Sequence, residues 1–299
     1  MDDDISKGGG CAGHLLRAEY YQAEGLPVHA LSELDQAVSK APGEAEARIC
    51  RAECLRRQGR FSEAESDLST ALRLAPNNPE PCVLMAQILA AESRFDSALS
   101  YLDRAELIDP DWFRASLVRG DVLLAAGRAD AAAESYRRAV ELAPRNVEAM
   151  ASLASLLMDG GHLAEASKLA DSLLSLSPNH PDARLIKSLE LGAQGRLEAA
   201  LQELSHALRA NSAHVRTRLE RGVVLLNLNR LDEAFQDFRL VAEREPDNVR
   251  ALCGLGDSAW RSGRVREAID AYTRVIDRGA AGPEVYQGRA EALALAGRR

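Results

Sequence analysis

Cys50 and Cys54, four residues apart, and six scattered histidines are the side chains of this 299-residue chain best suited to metal or nucleophilic chemistry. Two cysteines at that spacing on a helix would supply half of a tetrahedral zinc site. Nothing nearby completes four ligands. Cys11, Cys82 and Cys253 lie in other segments, and His14, His29, His162, His180, His206 and His214 are spread over turns and different helical stretches. A helix also aims such a pair poorly for a disulfide, so both read as packing or surface thiols. No glycine-rich phosphate loop follows a strand, because no strand pattern occurs. Acid pairs such as Glu63 and Glu65 fall on solvated helix faces. The expectation is a non-enzyme, with no catalytic residues, no metal and no cofactor.

What remains is periodic. Pro42, Pro76, Pro110, Pro144, Pro178 and Pro246 lie on one 34-residue grid, with Ser212 and Ala280 at the two points lacking proline. A fixed period of that length marks stacked supersecondary units. With the proline at repeat position 32, repeats start at residues 11, 45, 79, 113, 147, 181, 215, 249 and 283: eight full units and half a ninth. Position 8 is always small (Ala18, Ala52, Ala86, Gly120, Ala154, Ser188, Gly222, Gly256, Ala290), and position 20 is alanine in all eight full units. Invariant small residues predict close helix crossings. Position 15 is glycine except for Ser93 and Asn229, which predicts left-handed caps there, Gly297 included. Each unit is therefore expected to be two antiparallel helices, and residues 1–10, with Gly8, Gly9 and Gly10, a disordered tail.

Gly59 to Ala64 and Ala71 to Asn78, like Gly127 to Ala132 and Ala139 to Asn146, follow the tetratricopeptide-repeat (TPR) pattern closely, and the chain resembles that family over residues 11–299. The resemblance implies an all-α, right-handed superhelical solenoid of stacked antiparallel helix pairs. It also implies a concave groove lined by positions 2, 5, 9, 12 and 13 of each first helix. Those positions carry an apolar row (Leu15, Ile49, Val83, Leu117, Leu185, Leu219, Cys253), flanking polar groups (Glu19, Glu53, Gln87, Asp121, Asp257) and two large side chains, Met158 and Trp260. A peptide or protein segment with apolar anchors and some positive charge suits such a surface; the alternative is that position 5 is half-buried helix packing and the carboxylates are solvated. The carboxylate clamp of many chaperone-binding relatives, lysine at position 5 with asparagine at position 9, occurs in no unit. Arg114, Arg216 and Arg250 at position 2 are the bases left to grip an anion.

Position 7 is often basic: Arg17, Arg51, Arg119, Lys187, Arg221 and Arg289. In a hairpin turning near position 15 it faces position 23, which reads Glu33, Asp67, Ser135, Glu203 and Asp237 in the first five of these units. Where position 7 is apolar, position 23 is never acidic. The pattern predicts ion pairs inside the hairpin, with the aliphatic stems filling its seam.

The formal charge of −8 and the absence of a basic, aromatic-rich run argue against a nucleic-acid partner. No apolar stretch is long enough for a membrane span. The start, Met1-Asp2-Asp3-Asp4, lacks the basic and apolar regions of a secretory signal, and five unpatterned cysteines suggest reduced thiols, so the expected setting is cytoplasmic. Arg278, Gly279, Ala280 and Gly282 break the repeat pattern and predict a looser joint, and the incomplete ninth unit predicts self-association there. The function expected is a scaffold or adaptor that holds a partner segment in its groove. The alternative is the recognition arm of a larger enzyme or holdase-type co-chaperone continuing past residue 299.

Overall fold

The computed structural model of the chain describes residues 10–297. Among them are seventeen α-helices and no strand, the eight pairs and ninth first helix that the register predicts. The expected tail, apart from Gly10, and Arg298 and Arg299 lie outside the described residues. The helices form two compact bodies, one ending at Ala149 and the other starting at Met150.

The first body holds α1 (Cys11–Ala23), α2 (Pro27–Lys40), α3 (Ala45–Arg57), α4 (Phe61–Leu74), α5 (Glu80–Ala91), α6 (Phe95–Ile108), α7 (Phe113–Ala125) and α8 (Ala129–Leu142). They pack as hairpins α1–α2, α3–α4, α5–α6 and α7–α8. Each second helix also touches the next first helix, and first helices touch one another. The division falls within α9 (Val147–Asp159). The second body continues with α10 (Leu163–Leu176), α11 (Pro181–Ala193), α12 (Leu197–Ala210), α13 (Val215–Asn227), α14 (Leu231–Arg244), α15 (Val249–Arg261), α16 (Val265–Asp277) and α17 (Pro283–Ala296), packed by the same rule.

The hairpin turn is a backbone motif written at position 15. Six glycines, Ser93 and Asn229 hold φ between 58° and 78° there, the left-handed region. In the second repeat Gly59 N–H donates to Arg56 O and Arg60 N–H to Leu55 O, both at 3.0 Å, which satisfies carbonyls the helix end would otherwise leave open. Gly297 departs from the expectation. Its φ is −74° and its N–H continues the helical ladder to Leu293 O at 3.0 Å, so α17 ends without a reversal in the described residues. Between repeats, position 34 caps the incoming first helix: Asn146 and Asn248 accept from Ala149 and Ala251 N–H at 2.8 and 3.0 Å. His180 and His214 do the same through Nδ1 at 3.4 Å, which gives two of the six histidines a structural role. At the irregular joint α16 stops early, Gly279 takes φ 67°, and Arg278 reaches back to Pro246 O and Asp247 at 3.1 and 2.6 Å.

The close crossings are real. All eight position-20 alanines are fully buried. The position-8 glycines answer large rings at position 24: a Cβ on Gly120 would lie 2.3 Å from the Tyr136 ring and one on Gly222 2.7 Å from that of Phe238. Repeats with alanine at position 8 carry leucine or alanine at 24, so helix separation is held constant by trading one volume against the other.

The seam of the hairpin comes in a charged and an apolar form. Arg17 Nε bonds Glu33 at 2.8 Å, and Arg51 and Arg221 grip Asp67 and Asp237 through Nε and Nη2, each bond 2.7 Å. Lys187 does not reach Glu203. Its short single ammonium goes to Asp171 at 3.0 Å and Glu190 at 2.5 Å, and Arg184 takes Glu203 at 2.6 Å. Arg119, facing Ser135, pairs instead with Asp103 and Glu106 on α6. A second base at position 4 joins these seams: His14 on Glu33, Arg48 on Asp67, Arg184 on Glu203 and Arg218 on Asp237. The three arginines also donate to the carbonyl at position 32 (Pro42, Pro178 and Ser212), tying the hairpin to the preceding turn.

Candidate functional site

The expected groove row separates into a buried layer and an accessible one. Ile49, Val83, Leu117, Leu185 and Leu219 are at most 6% exposed, and Met158 is buried too. First helices pack on first helices, and the position-5 side chains fill that seam; Ile49 and Val83 belong to the core cluster of the first body. Charged substitutions there would test folding rather than binding. Accessible at the surface are Glu19, Asp121 and Asp257, with Leu15, Glu53, Gln87, Cys253 and Trp260 half-buried. The position-2 arginines are already engaged: Arg114 with Glu80, Arg250 with Glu220 and Arg216 with Asp159.

Each body has a cleft lined by its own first helices. In the first, α1, α3 and α5 enclose about 140 Å³ floored by Leu15, Ile49 and Cys50 and walled by Glu19, Glu46, Glu53 and Glu80. Burial and the surrounding carboxylates of Glu46, Glu80 and Glu19 push the Cys50 thiol up to about 12, so it stays protonated and unreactive at neutral pH. Burial works against the charge of Glu53, but the Arg56 and Arg57 guanidiniums at 2.6 and 2.7 Å hold its carboxyl below the ordinary value.

In the second body α13, α15 and α17 enclose about 510 Å³ containing Asp257, Trp260, Glu284 and Glu291, with Arg261, which donates to Asn229 Oδ1 at 3.0 Å, also in the lining. Trp260 Nε1 donates to Glu291 Oε2 at 3.2 Å, which sets the indole beside a carboxylate. Asp257 accepts from the buried Tyr272 hydroxyl at 2.8 Å, and partial desolvation raises its carboxyl above the usual range in spite of that bond. Asp121 and Tyr136 repeat the arrangement in the first body at 2.7 Å. Glu284 and Glu291 come from the ninth half-repeat, at positions 2 and 9, and lie outside the expected groove set; for Glu291 the position-9 row is the sequence signal. Among the described residues no three of His, Cys, Asp and Glu are placed to hold a metal ion, and no helix is long and apolar enough to cross a membrane.

The helical fold recurs in known proteins. A chain of the APC/C hetero-tetramer Cut9–Hcn1 superposes with a TM-score of 0.73 at 13% identity, over 97% of this chain and 56% of that one. PilF of Pseudomonas aeruginosa gives 0.58 at 16% identity over 70% and 95% of the two chains. TTC0263 of Thermus thermophilus gives 0.55 at 24% over 61% and 100%. This chain thus spans a little over half the length of the Cut9–Hcn1 chain it matches. A sequence comparison with curated proteins finds no match. Two profiles, each described as tetratricopeptide repeat, match residues 55–120 and 123–189, and residues 15–79, 187–249 and 253–298. With nearly the whole chain covered in this way, the protein belongs to the tetratricopeptide-repeat family.

Proposed function

We propose that the protein is a non-catalytic interaction scaffold whose first-helix faces take a partner segment bearing lysine or arginine beside apolar side chains. The observation that carries the reading is the second-body cleft, where Trp260 lies among Asp257, Glu284 and Glu291. A cation set on an indole face gains about 0.5–2 kcal/mol. Carboxylates around it speed encounter and reject acidic competitors. The acid-walled first-body cleft offers carboxylates over an apolar floor, without an aromatic face. Self-association through α17, whose Tyr286 and Leu293 are about half exposed, belongs to the same proposal.

Trp260 is one of two tryptophans, so a Trp112→Phe background makes it the only reporter. Titrating that protein with a short Leu-Lys-Leu-Arg peptide should give a saturable fluorescence change, and Glu284→Lys with Glu291→Lys should weaken it at least tenfold. An unchanged affinity in the charge-reversed protein, or an equal change of Trp260 fluorescence with a Leu-Glu-Leu-Glu peptide, removes the proposal.

A further inference from the structure

The second-helix side holds a different opening, and a comparison of the repeats with one another identifies what it lacks. In three units the base at position 7 finds a second partner, an aspartate at position 25 of the preceding second helix. These are Arg51 Nη1 to Asp35 at 2.9 Å, Arg119 Nη2 to Asp103 at 2.7 Å and Lys187 Nζ to Asp171 at 3.0 Å. Arg221 repeats the geometry of Arg51 atom for atom. Its Nε and Nη2 hold Asp237 at 2.7 Å, while Arg218 Nη1 adds 3.1 Å to the same carboxylate, as Arg48 does on Asp67 at 3.2 Å. Position 25 before it, however, is Ser205. Arg221 Nη1 therefore meets no acceptor among the described residues.

Space stands where the carboxylate would be. The cleft containing Asp35 and Arg51 measures about 220 Å³, and its counterpart containing Ser205 and Arg221 about 640 Å³. Arg209 and His206 join the larger lining without an ion-pair partner among the described residues. Of the lining acids, Asp237, Asp232 and Glu233 are already bonded to Arg221, Arg264 and Arg230, which leaves Glu198 against these bases.

We propose that a glutamate or aspartate side chain of an acidic partner segment enters this cleft and takes the place at Arg221 that Asp35 holds at Arg51. A guanidinium that lines a cleft with Nε and Nη2 committed and Nη1 unbonded is a preorganised carboxylate site. The three sister units show carboxylate as the group this position accepts. The site uses none of the first-helix residues of the preceding proposal.

The test uses the full chain and hexaglutamate amide as the probe, with calorimetry at low salt. Wild type should bind it. Ser205→Asp, which restores the internal carboxylate, should weaken binding at least tenfold while raising the melting temperature. Arg209→Gln should weaken it several-fold, and Glu284→Lys with Glu291→Lys should not weaken it. Circular dichroism confirms the fold of each variant. Failure of wild type to bind, equal affinity in Ser205→Asp, or tighter binding of inorganic phosphate than of hexaglutamate would each overturn the proposal.

Discussion

Removing the Asp67 carboxylate should be among the most damaging single changes in the molecule. The side chain is 5% exposed and receives three charge-assisted hydrogen bonds, 2.7 and 2.7 Å from Arg51 and 3.2 Å from Arg48. Both arginines are themselves about a fifth exposed, and Arg48 Nε is buried without a partner among the described residues. In Asp67→Ala, Arg51 keeps Asp35 and Arg48 keeps Pro42 O, but Nε and Nη2 of Arg51 and Nη1 of Arg48 face a void. Stranding a charged donor costs about 1.5–3 kcal/mol and breaking a buried pair about 3–5 kcal/mol. Water reaches the arginines in part, so the lower end, about 3 kcal/mol, is expected. A double-mutant cycle with Arg51→Ala isolates the pair, and its coupling should be about 2 kcal/mol, well above the 0.2–1 kcal/mol of exposed pairs. The i, i+4 pair Arg239–Glu243, with side chains 48% and 61% exposed, is the internal control for that lower range. Urea is the denaturant, because guanidinium chloride would screen the charges under test. A constant m value shows that the same unit unfolds in every variant. Coupling at or below the control would refute the claim that the seam is an internal electrostatic element.

Gly222→Ala should destabilise by about 1–3 kcal/mol through overpacking on the Phe238 ring, and Phe238→Leu in the same protein should recover only part of the loss, because the ring also fills the space against Gly254. Ser93→Gly at φ 60° should stabilise by about 0.5–1 kcal/mol because a left-handed residue with a Cβ is strained, and chemical denaturation reads the gain directly. Acid sensitivity should fall in Glu53→Gln. The folded pKa of Glu53 is lowered from 4.5, so its stabilisation is complete above that value and is lost as pH falls through the folded pKa. Urea midpoints between pH 3 and 6 should converge for variant and wild type at the acid end and diverge above it.

How much of this was legible in the residues depends on the range of the interaction. The position-15 turns are local, since φ at Gly59 or Asn229 is dictated by a chain reversal within a few residues, and spacing alone exposes it. The pairs Arg17–Glu33, Arg51–Asp67 and Arg221–Asp237 are one hairpin wide and show as a covarying pattern between units. Arg48 and Arg218, which complete those pairs, do not show, because position 4 reaches position 23 obliquely and also needs a carbonyl from the previous turn. Lys187 matches the pattern by charge yet lacks the forked guanidinium that spans the seam, so it bonds elsewhere. Sequence leaves the position-5 row open between a ligand surface and helix packing, because one repeat alone leaves it bare, and Ile49, Val83, Leu117, Leu185 and Leu219 are packed. Its burial comes from the neighbouring first helix, a contact that sequence within a unit does not encode. Trp260 and Asp257 stay accessible because the helix beyond them, α17, brings Glu284, Gln287 and Glu291 to that edge rather than large apolar groups.

The most direct test of the interaction reading is a map of amide resonances, or a co-crystal, with the Leu-Lys-Leu-Arg peptide bound. The perturbed or contacted residues should centre on Asp257, Trp260, Glu284 and Glu291, with the peptide cation against the indole. A peptide lying on the second-helix surface instead, with those four residues undisturbed, would contradict the account.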